Sequence, residues 1–194
     1  MEHNRLRMSS AGTLTGLYIF PIIYNIEKAM KTLLILRHAK SSWKEQDLPD
    51  HDRPLNKRGK NDAPLMGKLL KDEDLIPDLI ISSTAVRAKK TAELVAKACK
   101  YKGKIVLNHS LYGAEPAAYL KILEGLSDKH MAALVVGHSP SVEETVGLLT
   151  GSQDIIMPTC ALAQISLPIQ NWTELKKQDI KGKLLKVWRP KELS

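Results

Sequence analysis

Aromatic side chains are scarce: one Phe, three Trp and five Tyr make up 5% of 194 residues. A nucleic-acid reader would add a stacking platform or a groove-entering module to its positive charge; neither is present, which argues against that class of partner. Cysteine is scarcer still. Cys99 and Cys160 lie far apart and neither belongs to a CxxC pair, which argues against a disulfide framework and a thiolate metal site, and the thiols read as reduced ones of a cytoplasmic protein. Internal repeats and low-complexity tracts are lacking. So is a run long enough to span a bilayer: the apolar stretch from Leu14 to Ile26 is too short and is broken by Pro21. Arg5 and Arg7 precede it as in a signal peptide, but Asn25-Ile26-Glu27-Lys28 stands where small cleavage-site residues belong. Residues 1–29 therefore read as a dispensable or disordered extension and not as a membrane anchor. Met30 directly precedes a strand and makes a natural start, with residues 30–194 as one domain.

Positive charge is plentiful. The formal net charge is +8 and the pI near 9.4, with Lys and Arg spread along nearly the whole length. Such a molecule attracts anions, phosphorylated substrates among them.

From Lys31 onward short apolar runs alternate with longer helical patterns, the mark of an α/β layer fold with a mainly parallel sheet. The continuous run TLLIL, Thr32 to Leu36, predicts a central strand covered on both faces. A helix is expected from Asn56 to Asp72, kinked or delayed by Pro64. A second strand over Asp78–Ile81 leads to Ser82-Ser83-Thr84, N-cap candidates for a helix reaching about Lys100. A third strand at Lys104–Leu107, a helix at Pro116–Leu126, a fourth strand at Met131–Val136 and a helix opened by Pro140 follow. Ala161–Leu167 and Lys183–Trp188 predict a hairpin at the sheet edge.

Ligands of open α/β sheets collect outside the carboxyl ends of the strands. Three predicted strands end beside Arg or His: the first at Arg37-His38, the second ahead of Arg87, the fourth at Gly137-His138. Two guanidiniums can grip phosphate oxygens by charge-assisted hydrogen bonds, helix N-termini near Ser83 and Ser139 can add backbone donors, and a neutral imidazole can attack phosphorus. Cationic neighbours oppose protonation of His38, and His138 is suited to donating to phosphoryl oxygens. Arg87 in a first helical turn opposes the macrodipole, which an anion there would explain. Glu143 and Glu144 meet a helix dipole favourably and read as structural; His3, His51, His109 and His130 carry no assigned role.

The segments LLILRHAKSSW, SSTAVRAKKTAE and VVGHSPSVEE resemble the three signature segments of the histidine phosphatase superfamily, and HDRPLNKRG with the modest length resembles its SixA-type phosphohistidine phosphatases. The resemblance implies a phosphoglycerate mutase-like, three-layer α/β/α sandwich and a phosphohydrolase working through a phosphohistidine intermediate without metal or cofactor. By position it makes His38 the nucleophile, Arg37 and Arg87 the phosphate clamps and His138 the second pocket histidine. Arg53 would lie at the pocket rim, and Ser139 would help bind substrate. Ala39 replaces the Gly that many members carry after the Arg-His pair. The Glu that mutase and sugar-phosphatase branches use as proton donor has no aligned counterpart; Glu115 and Asp52 are the two candidates. Lack of the insertions that roof larger members implies a pocket open to phosphohistidine on a protein. A small phosphorylated metabolite or sugar, or a non-catalytic phosphate-binding module, are the alternatives. Oligomeric state is not encoded legibly.

Overall fold

The structure, a computed structural model, describes residues 30–45, 47–176 and 181–193, so the expected N-terminal extension lies outside the described residues. Six strands form one sheet: β1 (Lys31–Arg37), β2 (Leu79–Ser83), β3 (Ile105–Asn108), β4 (Ala132–Gly137), β5 (Leu162–Leu167) and β6 (Lys183–Trp188), in the order β3-β2-β4-β1-β5-β6. β1 and β2 both pair with β4 in parallel, and β3 joins β2 in parallel. β5 turns antiparallel to β1 and β6 antiparallel to β5, as the edge hairpin predicts.

Burial on two faces explains the unbroken apolar run of β1. Leu34 and Leu36 enter the core made with α1 (Lys57–Asp72) and α2 (Val86–Ala98), while Leu33 and Ile35 enter the core beneath α3 (Pro116–Glu124) and α4 (Ser141–Thr150). All four are fully buried, and each contributes roughly 2 kcal/mol on that account. The result is the expected α/β/α sandwich, with β1 and β4 at its centre.

Two local expectations need correction. α1 starts at Lys57 and continues through Pro64, because the Asn56 side chain accepts a hydrogen bond from the Gly59 N–H and sets the N-terminus. Burial of Ala63, Met66, Leu69 and Leu70 outweighs the one backbone bond that Pro64 removes. α2 is not capped by Ser82, Ser83 or Thr84: β2 runs on through Ser83, Ala85 holds the N-cap position without a side-chain bond, and the Ser83 hydroxyl is engaged elsewhere.

Candidate active site

The strand order sets β1, β4 and β2 side by side, and the parallel register aligns their carboxyl ends: Arg37 pairs with Gly137, and Ser82 with Val136. Ser83, the last residue of β2, and the residues just beyond the other two ends, His38 and His138, are thereby gathered at one place. Arg87 joins them from the first turn of α2. Thr91, one turn further on, donates its hydroxyl to the Arg87 carbonyl and accepts the Ala39 N–H, tying the loop after β1 to that helix. The Ala39 methyl is fully buried in the adjoining core, so the departure from Gly is accommodated by packing.

Geometry sets which nitrogen of His38 carries the proton. The Ala39 carbonyl can only accept, so the 2.8 Å contact to Nδ1 places the proton there and leaves the lone pair on Nε2. The Nε–H of Arg87 donates to that Nε2 at 3.3 Å. Burial, with smaller contributions from the charges of Arg87, Arg37 and Arg53, outweighs the opposing Ala39 bond and lowers the His38 pKa to about 4. The expectation named the arginines as the cause; burial is the larger one. The His138 ring lies 5.0 Å from that of His38, and its Nε2 shares a 2.9 Å hydrogen bond with the Ser83 hydroxyl. Burial, then His38 and Arg87, lower the His138 pKa to about 3. Both imidazoles are thus neutral near neutral pH.

Gly137 makes this approach feasible. A Cβ there would collide with the Tyr119 hydroxyl, which accepts the His138 N–H at 3.3 Å.

Arg37 donates through Nη1 to the Met157 carbonyl at 2.8 Å and lies 3.7 Å from Glu143 Oε1, while its Nε is buried without a partner. Ser139 lies beside His138 in a cleft of about 500 Å³, where its hydroxyl donates to Glu143. Glu143 is therefore more than a dipole partner: one oxygen is shared by Arg37 and Ser139. Glu115 lines the same cleft as His138, whereas Asp52 is engaged by His51 at 2.9 Å.

Arg53 does not sit at the rim. It is buried beneath exposed Trp43, with its Nε donating to the Ser42 carbonyl, Nη2 to the Ser41 hydroxyl and Nη1 to Asp50. A guanidinium so fixed acts on the site through its charge.

The sequence reading missed Asp50 entirely. Its carboxylate accepts from Arg53 at 2.7 Å, Arg87 at 2.9 Å and the Tyr112 hydroxyl at 3.0 Å, and its carbonyl accepts from Arg87 Nη1. Burial raises its pKa, but the bonds from Arg53 and Tyr112 and the charge of Arg87 prevail and hold it at about 2. Position gave the one available signal, since Asp50 lies in the same loop as Arg53. His51 and His109, given no role from sequence, flank the site: both bond to Thr84 Oγ1 at 3.0 Å, and Tyr112 stands edge-on to His51 and His138. Among the described residues no group of three or more His, Cys, Asp or Glu is placed to hold a metal ion, and no helix is long and apolar enough to cross a membrane.

Comparison with known proteins bears on the family and the fold. The family model of the histidine phosphatase superfamily (branch 1) matches residues 33–111. An uncharacterized chloroplastic protein of Arabidopsis thaliana is 30% identical over 158 residues, covering 74% of this chain and 70% of that protein. The chain belongs to the histidine phosphatase superfamily. Its fold is also that of solved SixA structures. A SixA protein from Agrobacterium tumefaciens, assigned as a phosphohistidine phosphatase, superposes with a TM-score of 0.68 at 27% identity, covering 82% of this chain and 99% of that one. A protein histidine phosphatase SixA complexed with tungstate gives 0.73 at 22% identity, over 84% and 99%.

Proposed function

We propose that this protein is a phosphatase that takes the phosphoryl group onto His38 Nε2, with phosphohistidine on a protein as substrate. The carrying observation is the lone pair on Nε2, kept free of a proton and set within hydrogen-bond distance of the Arg87 guanidinium. Attack forms the N–P bond on His38 as the substrate's N–P bond breaks, its electron pair returning to the departing ring. A phosphoimidazole already protonated at its distal nitrogen leaves neutral and requires no strong acid, which suits a site whose pocket histidines are both neutral. Water then attacks phosphorus, releases inorganic phosphate and restores the lone pair. Arg87, Arg37 and His138 surround the transferred group. The buried and unpartnered Arg37 Nε–H is a donor for which a phosphoryl oxygen is the natural acceptor. The guanidiniums of Arg87 and Arg37 supply the charge that a metal contributes in other phosphatases, so EDTA leaves turnover unchanged.

Incubation with a phosphohistidine-bearing phosphotransfer protein releases phosphate on this reading, and acid-labile label is trapped on His38. Absence of release from folded protein removes the substrate assignment; loss of turnover in EDTA, restored by a divalent ion, removes the metal-free mechanism. The place of Glu115 in the His138 cleft favours one second reading, a phosphatase for small phosphorylated molecules with Glu115 as proton donor. Loss of turnover in Glu115→Gln on such a substrate supports it.

A further inference from the structure

Arg87 uses one edge of its guanidinium for two different partners. Nε and Nη2 share that edge; Nε–H donates to His38 Nε2, and Nη2–H donates to Asp50 Oδ2 at 2.9 Å. A phosphoryl group bonded to His38 Nε2 meets the same edge, and a two-point grip on its oxygens needs both donors. The Asp50 carboxylate therefore stands where one phosphate oxygen belongs, and its other oxygen neutralises Arg53.

Energetics explain why a carboxylate resides in an anion site. Arg53 and Arg87 are 7% and 6% exposed, and buried cations without counter-charge are strongly destabilising. A counter-ion bound too firmly would shut out phosphate. Asp50, however, belongs to a short 3-10 turn, Asp50–Asp52, and its side chain is about half exposed, so it can turn toward water when a second anion arrives. Its carboxyl stays ionised throughout the ordinary pH range, which makes the exchange one of anion for anion and not a titration.

We propose that Asp50 is an exchangeable counter-ion of the phosphate clamp: it neutralises Arg87 and Arg53 in the empty site, yields Arg87 Nη2 to the incoming phosphoryl group, and reclaims it to expel inorganic phosphate. The expulsion step rests on the phosphatase reading; the competition for Arg87 does not. Asp50 acts through the arginines and is a positioning residue with a sign that ordinary positioning residues lack, since removing its charge strengthens binding of the product.

Calorimetric titration of the full chain with inorganic phosphate tests this directly. Asp50→Asn is expected to lower the phosphate Kd about tenfold, because one like charge leaves the site. Tyr112→Phe keeps the ring but removes the hydroxyl, which bonds Asp50 and also interacts with Arg87, and is expected to lower it about twofold, such a hydrogen bond being worth little net. On a phosphorylated substrate, Asp50→Asn lowers KM and kcat together as phosphate release slows. A phosphate Kd that is unchanged or raised in Asp50→Asn overturns the proposal and makes Asp50 a fixed brace for the arginines. If Asp50→Asn does not fold, Tyr112→Phe decides by the same sign. Tighter phosphate binding in a chain that dephosphorylates no phosphohistidine protein upholds the counter-ion and removes only the substrate assignment.

Discussion

The two ends of β1 both carry a cation, and they treat it in opposite ways. At the amino end Lys31 is 1% exposed, and its ammonium donates to the carbonyls of Asp128 and His130 and to the Met131 sulfur, beside the Trp172 ring. Every proton of that ammonium has an acceptor inside the fold. At the carboxyl end Arg37 keeps a buried Nε–H with no acceptor, His138 keeps an unpartnered Nδ1, and Arg87 shares its edge between a histidine and a carboxylate. Burial of charge alone therefore does not mark a site. Donors left over after the fold has taken what it needs do mark one, because leaving a buried polar group unpaired costs about 1–3 kcal/mol and persists where a ligand repays it.

The contrast predicts opposite phenotypes. His38→Ala, at the carboxyl end, lowers kcat of the folded fraction by at least about 10³-fold, measured by phosphate release, far beyond the roughly 1–3 kcal/mol of stability that chemical unfolding should show as the Ala39 carbonyl and the Arg87 Nε–H lose their partner. A variant with retained turnover ends the nucleophile assignment. Lys31→Met, at the amino end, does the reverse: stability falls by about 2–4 kcal/mol as two carbonyls lose their donor, and kcat of the folded fraction is unaltered. Equal damage to turnover there would erase the distinction between the ends.

Acid titration sharpens the comparison further. The folded-state pKa values of His38 and His138 lie below the ordinary 6.5, at about 4 and about 3. Between about 6.5 and 3 the unfolded chain takes up protons that the folded chain refuses, so stability is full above that window and declines as pH falls through it. Ring nitrogen shifts of His38 are expected to stay those of neutral imidazole until about pH 4, and the pH slope of stability to shrink in His38→Gln. A His38 titration near 6.5 would contradict the burial. The smallest effect belongs to Asn56→Ala, which removes the cap beneath the Arg53 loop: about 1 kcal/mol in stability and little in turnover.

The strand-end logic was legible because it is local. An apolar run covered on both faces reads as a central strand, and the residue after it lies at the sheet's carboxyl edge; this located Arg37, His38 and His138. Arg87 was legible for a related reason, as a cation in a first helical turn. Asp50 was not, because nothing within its loop distinguishes it from Asp47 or Asp52; it gains its meaning from Arg87, 37 residues away. The start of α2 is not legible because a serine that favours an N-cap also suits a histidine partner, and Ser83 has one in His138, 55 residues away.

Hydrophobic patterning and the order of its elements determined the layered fold and the edge on which chemistry would gather, since both follow from periodicities of a few residues. Which His38 nitrogen is free, that Arg53 is buried, and that Asp50 holds the clamp were decided only in three dimensions. Protonation and pairing depend on acceptors and charges within a few ångströms, and those arrive from stretches of chain whose separation along the sequence carries no record of the contact.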